Sequence, residues 1–283
     1  MKKNHLKLHT DHIEAISPGY QEKLDRLRPI DDDFMRCLFR ENLSLARQVL
    51  PILTGDESIN ISHVETQMDM RIPGARSVEL DVYCISDDGR RYNLETERRA
   101  ERGKPKRARY HASVMDIRNL QPRQDFEELP ETFTIFLMET DTLGEGLPRY
   151  HADRYIKETG KDFGDKTHIL YLNAQYRDNT AFGNLMADFT ETDPEKMHTE
   201  ELRKACFQFK RTEEGIRQMC QVFDEIRAEG KAEGRAEGRA EGRDHALVGS
   251  IRSLMENMKM TAQQAMEVLG IAPEERGKLM SML

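Results

Sequence analysis

Asp81, Glu95 and Glu97 lie in two short stretches, Glu79 to Ile85 (ELDVYCI) and Asn93 to Glu97 (NLETE), separated by Ser86-Asp87-Asp88-Gly89-Arg90. Asp-Gly supplies the left-handed position that closes a tight hairpin. If Asp87, Asp88 and Gly89 form a three-residue loop closed by Ser86 opposite Arg90, residue 85 faces 91, 83 faces 93 and 81 faces 95. Cross-strand partners have Cβ atoms roughly 4.5 to 5.5 Å apart, so Asp81 and Glu95 become neighbours able to hold one divalent cation. Glu97, two residues on, projects from the same face. A two-residue loop would instead oppose Asp81 to Thr96 and part the acids. Carboxylates crowded on one sheet face repel unless water, a base or a metal compensates them. Hard oxygen ligands suit Mg²⁺ or Mn²⁺, and a strand carbonyl such as that of Thr96, with waters, would complete an octahedron. An exposed acidic face on an edge hairpin accounts for the same spacing.

The residues that follow are basic. From Arg90 to Arg123 there are eleven Lys or Arg against four acids, a local excess of seven in a chain of net charge −8. Acids beside a basic belt suit a polyanion: cations grip flanking phosphates while a metal on the carboxylates activates water and stabilises charge on the scissile phosphate. A solvated helix face plus loop is the plainer account of the belt.

These residues need a frame to hold them. Asp31, Asp32 and Asp33 precede Phe34, Cys37, Leu38, Leu45, Val49, Leu50 and Leu53 at helical spacing, with breaks expected near Asn42 and Pro51 and a stop at Gly55. Ile59 to Met70, Val78 to Ile85 and Arg91 to Glu97 read as strands. Tyr110, Val114 and Ile117 make Lys106 to Leu120 an amphipathic helix. Thr132 to Met138 and His168 to Leu172 read as buried strands, separated by a Gly- and Pro-rich segment with room for a short helix. The order is that of an α/β domain built on one central sheet.

The pattern LDVYCISDDGRRYNLETE followed by KRARYHASVMD resembles the PD-(D/E)xK phosphodiesterase superfamily, and within it the bacterial recombination-promoting nuclease and transposase family. The resemblance runs from about Asp31 to about Asn173, and the AEGR repeat and short helical tail are also usual there. It implies a restriction-endonuclease-like αβββαβ core with a mixed central sheet, which cuts DNA using Mg²⁺ (or Mn²⁺) and serves recombination or transposition. Asp81 becomes the first metal acid and Glu95 the second. The third motif position normally holds lysine, or often glutamine in this family; here it is Glu97, which assists catalysis, binds a second metal or leaves the protein inactive. Arg98, Lys104 or Lys106 would supply the missing cation. Arg107 and Tyr110 match the family's helix motif and are the candidates for phosphate contact, although Tyr110 also lies on the apolar stripe. An acid of the first helix, Asp33 by preference, approaches the metal in this scheme, a position that N-capping explains equally well. A catalytically inactive DNA-binding or oligomeric assembly protein that keeps the fold is the alternative.

At 283 residues the chain is expected to hold an arm (1–30), a nuclease-like domain (31–227), the AEGR tract (228–243) and a small helical segment (244–283). Residues 1–29 lack a clear period and read as loosely ordered. In AEGKAEGRAEGRAEGR like charges recur at i, i+4 and each glycine costs roughly 1 kcal/mol against alanine, so a semi-flexible linker is favoured over an ordered oligomerisation helix. Thr261 and Gln264 form a capping box, Gly270 ends that helix and Pro273 opens another. A helix-turn-helix and a docking or dimer hairpin both fit, the latter being favoured. No apolar run suits a membrane span or secretory signal, and the four cysteines form no CxxC pair, which points to free thiols and the cytoplasm. No HExxH, zinc, phosphate-loop or serine-nucleophile motif is present.

Overall fold

A computed structural model describes residues 18–70, 78–99 and 103–283. The chain divides into two compact units, Met1–Gln218 and Met219–Leu283.

In the first unit, α1 (Pro18–Arg26) precedes α2 (Asp32–Phe39) and α3 (Leu43–Thr54). The sequence pattern missed α1, which has proline in its first turn and buries Leu24. Histidines 5, 9 and 12, like all of residues 1–17 of the expected arm, lie outside the described residues. Asn42 separates α2 from α3 by accepting from the Leu45 amide, and Gly55 closes α3 at φ +79°. Pro51 does not break α3: it sits in its last turn.

Three strands follow, β1 (Ile61–Met70), β2 (Val78–Ser86) and β3 (Arg91–Glu97), then α4 (Pro105–Asn119) and β4 (Thr132–Met138). The segment between β4 and the next long strand holds no helix of the kind expected. It contains a short strand β5 (Arg149–Ala152) and a two-stranded ribbon, β6 (Tyr155–Ile156) with β7 (Lys161–Asp162), before β8 (Thr167–Asn173). The main sheet has the order β1-β2-β3-β4-β8-β5. β1, β2 and β3 are antiparallel, β3, β4 and β8 parallel, and β5 runs antiparallel on the edge.

The hairpin register is the one that a three-residue loop requires. Ile85 pairs with Arg91 and Tyr83 with Asn93, the Ser86 amide donates to the Arg90 carbonyl at 3.0 Å, and Gly89 takes φ +89°. Side chains alternate along β3. Thr96 meets Asp32 of α2, whereas Glu95 and Glu97 meet α4.

On one face, Phe34, Leu38, Leu45 and Val49 of α2 and α3 are buried. On the other, α4 is rotated from the expected stripe. Ala108, His111, Ala112 and Met115 are buried with Val114, while Tyr110 is half-buried and Ile117 is 58% exposed. The small residue at 108 lets the helix press onto Phe136 and Met138. α5 (Ala181–Thr190) and α6 (Glu200–Arg211) complete the unit. Cys37, Cys84 and Cys206 are buried and Cys220 is half-buried, none of them in a disulfide.

The helix α7 (Glu213–Met258) runs unbroken through the AEGR tract, which is therefore helical where a linker was favoured. In the second unit, α8 (Ala262–Val268) carries the complete Thr261–Gln264 capping box, and α9 (Pro273–Met280) follows Gly270 at φ +66°. Val248, Ile251, Ala265, Met266, Ile271 and Leu279 form its core. No described helix is long and apolar enough to cross a membrane.

Candidate active site

The neighbouring strands β2 and β3 deliver their acids to a cavity of about 780 Å³. Asp81, Glu95, Thr96 and Glu97 line it together with Asp32, Arg36, Lys104, Lys106, Arg107, Tyr110 and His111. Of the residues singled out in the sequence, Asp33 is not brought there, and neither is Arg98. Its guanidinium instead joins Asp31 at 3.3 Å and Glu139 at 3.1 Å, beside Arg28. Arg102 and Glu101 of the basic belt lie outside the described residues.

Both metal-acid candidates are buried, Asp81 at 7% and Glu95 at 1% exposed. Burial and then the charge of Glu95 push the Asp81 carboxyl up to about 8, against the opposing pull of Arg36. Arg36 Nε reaches Asp81 from α2 at 3.1 Å and its other branch reaches Glu79 at 3.2 Å. The Thr96 amide also donates to the Asp81 carboxylate.

Glu95 is held from the opposite side. Burial disfavours its charge, but His111, Asn93 and the Asp81 amide outweigh that and keep its carboxyl below the usual range. Asn93 Nδ2 donates to Oε1 at 2.9 Å, the Asp81 amide donates to the same oxygen at 3.3 Å, and His111 Nδ1 lies 3.4 Å from it. A buried carboxylate given these donors and a nearby cation remains ionised. Asp81 and Glu95 are thus pushed apart in acidity by their surroundings, one toward the neutral acid and one toward the anion.

Glu97 is buried and ion-paired. Arg107 Nη1 donates to its Oε2 at 2.6 Å, and Arg107 Nη2 comes within 3.7 Å of Glu95. Arg107 Nε donates to His111 Nε2 at 3.3 Å, one helical turn along α4. The acid at the third motif position is therefore neutralised by a cation from the helix. Arg98, Lys104 and Lys106 were the residues expected to supply such a cation; Arg107 is the one in contact. Just before α4, a Cβ at Gly103 would meet Met138 Cε at 2.4 Å, so that flexible side chain would have to shift to admit one.

Asp32, not Asp33, is the acid of α2 that enters the cavity, accepting from Thr96 Oγ1 at 3.0 Å. Asp33 is half-exposed and lies 3.9 Å from Arg36. His111 was not singled out by the sequence reading. Its position four residues after Arg107, on the face that meets the sheet, is the signal that identifies it.

Among the described residues, no group of three or more His, Cys, Asp or Glu side chains is arranged as a ligand cage. A hydrated magnesium ion needs less than that: one or two carboxylates, with waters and substrate phosphate filling the other positions. Asp81 and Glu95, two hard-oxygen donors whose charges conflict inside one cavity, fit that requirement. Glu97, bound to Arg107, does not offer itself as a third.

No curated protein and no solved structure matches the chain. A family model described as PD-(D/E)XK nuclease family transposase matches residues 48–241, which takes in both acids, the basic belt, α4 and all but the last two residues of the AEGR tract. With more than half of its length matched, and with a six-stranded mixed sheet consistent with that fold, the chain belongs to the PD-(D/E)XK nuclease family of transposases.

Proposed function

We propose that the protein is a metal-dependent DNA endonuclease serving recombination or transposition, with Asp81 and Glu95 as its metal ligands. The observation that carries this reading is the placing of two buried, electrostatically coupled carboxylates in a cavity rimmed by Lys104, Lys106 and Arg107. The succession α3-β1-β2-β3-α4-β4 supports assigning these elements as the αβββαβ core.

Bound at the two acids, Mg²⁺ (or Mn²⁺) would lower the pKa of a water and offset charge on the phosphate being cut. The Thr96 carbonyl would be a further oxygen ligand. The chain's own residues do the rest. Asn93 and His111 fix Glu95 in its ionised form, and Arg36 holds Asp81. Lys104, Lys106 and Tyr110 line the approach for the DNA backbone. Glu97 orients Arg107, whose guanidinium supplies the cation that the third motif position itself lacks.

One observation favours a second reading, a catalytically silent DNA-binding or assembly protein: Arg36 and Arg107 already occupy oxygens of Asp81 and Glu97. Supercoiled plasmid with Mg²⁺ or Mn²⁺ separates the two. Nicking that falls at least 100-fold in both Asp81→Ala and Glu95→Ala, at the scale expected for losing a catalytic metal, supports the enzyme. Salt-sensitive DNA binding without nicking in either metal supports the silent protein. The second unit and α7 would then serve homo-oligomer assembly in either case.

A further inference from the structure

The sheet row that contains Glu95 continues past the acids. Glu95 pairs with Phe136, Phe136 with Tyr171, and Tyr171 with Tyr150, so these side chains share the α4 face in a line across four strands. α4 covers the first part of this line and leaves the end open. There a second cleft of about 410 Å³ is lined by Leu143, Leu147, Tyr150, Ala152, Ile169 and Tyr171. Pro105 also lines it, while its neighbours Lys104 and Lys106 line the acidic cavity, so the two depressions flank the first turn of α4.

Three features mark this cleft as a binding site. Its wall is fixed in advance, because the Tyr150 hydroxyl donates to Asp141 at 2.8 Å and accepts from the Glu145 and Leu147 amides at 3.1 Å. Asp141 in turn accepts from the Gly144 and Gly146 amides at 3.0 and 2.7 Å, which stiffens the loop presenting Leu143 and Leu147. Those two leucines are 44% and 50% exposed. Tyr171 is 4% exposed, and its hydroxyl has no hydrogen-bond partner. A buried hydroxyl left unpaired is costly, and a ligand with an edge of donors and acceptors relieves it.

We propose that this cleft receives one unstacked nucleobase of the DNA strand whose phosphate lies at Asp81 and Glu95. The proposal rests on the nuclease reading. A base supplies what the cleft lacks: a flat apolar face for an aromatic wall and a polar edge for Tyr171. The cations at Lys104 and Lys106 lie where the connecting backbone crosses. Tyr171 is two strand spacings from Glu95, about 10 Å, which a strand covers in about three nucleotides at the duplex rise of 3.4 Å. The site therefore favours DNA that is unpaired close to the cut.

The test uses the full-length Asp81→Asn chain in Mg²⁺, binding a duplex with a short unpaired stretch, followed by fluorescence anisotropy. An abasic residue replaces each unpaired nucleotide in turn. Affinity is expected to fall about tenfold at one position, the scale of a lost base–aromatic stack, and little elsewhere. Leu147→Glu, at a half-exposed site, should impose the same loss on the intact strand and no further loss when the abasic residue occupies that position. Tyr171→Phe, which keeps the ring, should show a smaller loss of the same pattern. A flat abasic scan, or intact-strand affinity unchanged in Leu147→Glu, overturns the cleft assignment while leaving the nuclease reading in place. Failure of both the Asp81→Asn chain and the unsubstituted protein in Ca²⁺ to bind any of these oligonucleotides overturns both readings.

Discussion

Charge is dense in two regions of this molecule and is handled in opposite ways. Around the β2–β3 hairpin, Asp81, Glu95 and Glu97 are buried, and each is met by an identified partner: Arg36, His111 and Arg107. Along the AEGR tract, Lys231, Arg235 and Arg239 are exposed, and a Cβ added at Gly230, Gly234, Gly238 or Gly242 would meet nothing within 4 Å. Buried charges shift acidity and demand exact partners. Exposed ones tolerate change. Frequency of charged residues alone does not distinguish the regions; burial with fixed partners does.

The sharpest way to break the comparison is through pH. Between the ordinary carboxylate value of 3.8 and about 8, the folded chain keeps a proton on Asp81 that the unfolded chain releases. The unfolded state therefore binds fewer protons, and stability falls as pH rises through that window, by a few kcal/mol at most. Urea denaturation from pH 5 to 8.5 should show this decline, and Asp81→Asn should flatten it. At the proposed metal site, binding would displace the same proton, so stabilisation by Mn²⁺ should grow toward pH 8. An equally steep decline in Asp81→Asn would place its origin elsewhere.

A smaller effect is expected at Arg107. Arg107→Ala strands the buried Glu97 beside Glu95, and losing one partner of such a pair costs about 2 kcal/mol once the partial exposure of the arginine is allowed for. Glu97→Gln in the same chain should recover most of that loss, measured as a double-mutant cycle in urea. Additive losses would mean that the two side chains do not act as a pair.

Smallest is the change in the repeat. Gly234→Ala and Gly238→Ala should each stabilise the helix by about 1 kcal/mol, seen as a higher melting temperature by circular dichroism, with nicking unaffected. A loss of helicity would show that these glycines are pressed against something, contrary to the open space around them.

What could be read from the sequence follows the same division. The Asp-Gly turn, a local signal, dictated the register that makes Asp81 and Glu95 neighbours. The Arg107–Glu97 pair was hidden because ten residues and a loop separate its members, and their meeting depends on where α4 docks. That docking turned on Ala108, a small residue that a search for large apolar side chains passes over. α7 was misjudged from local propensity, which prices the four glycines but omits the flanks. Met219 on one side and Val248 and Ile251 on the other are buried, so the tract extends helix already nucleated at both ends. β5 and the ribbon lack alternation, and only the edge pairing with β8 reveals β5 as a strand.

The central claim is that Asp81 and Glu95 jointly seat one divalent cation. Crystals of the protein soaked in Mn²⁺ test it directly through anomalous scattering. One peak bridging carboxylate oxygens of both residues, absent from Glu95→Ala crystals, is the predicted result. No peak in that cavity at saturating Mn²⁺, or a peak retained when Glu95 is removed, would contradict the account.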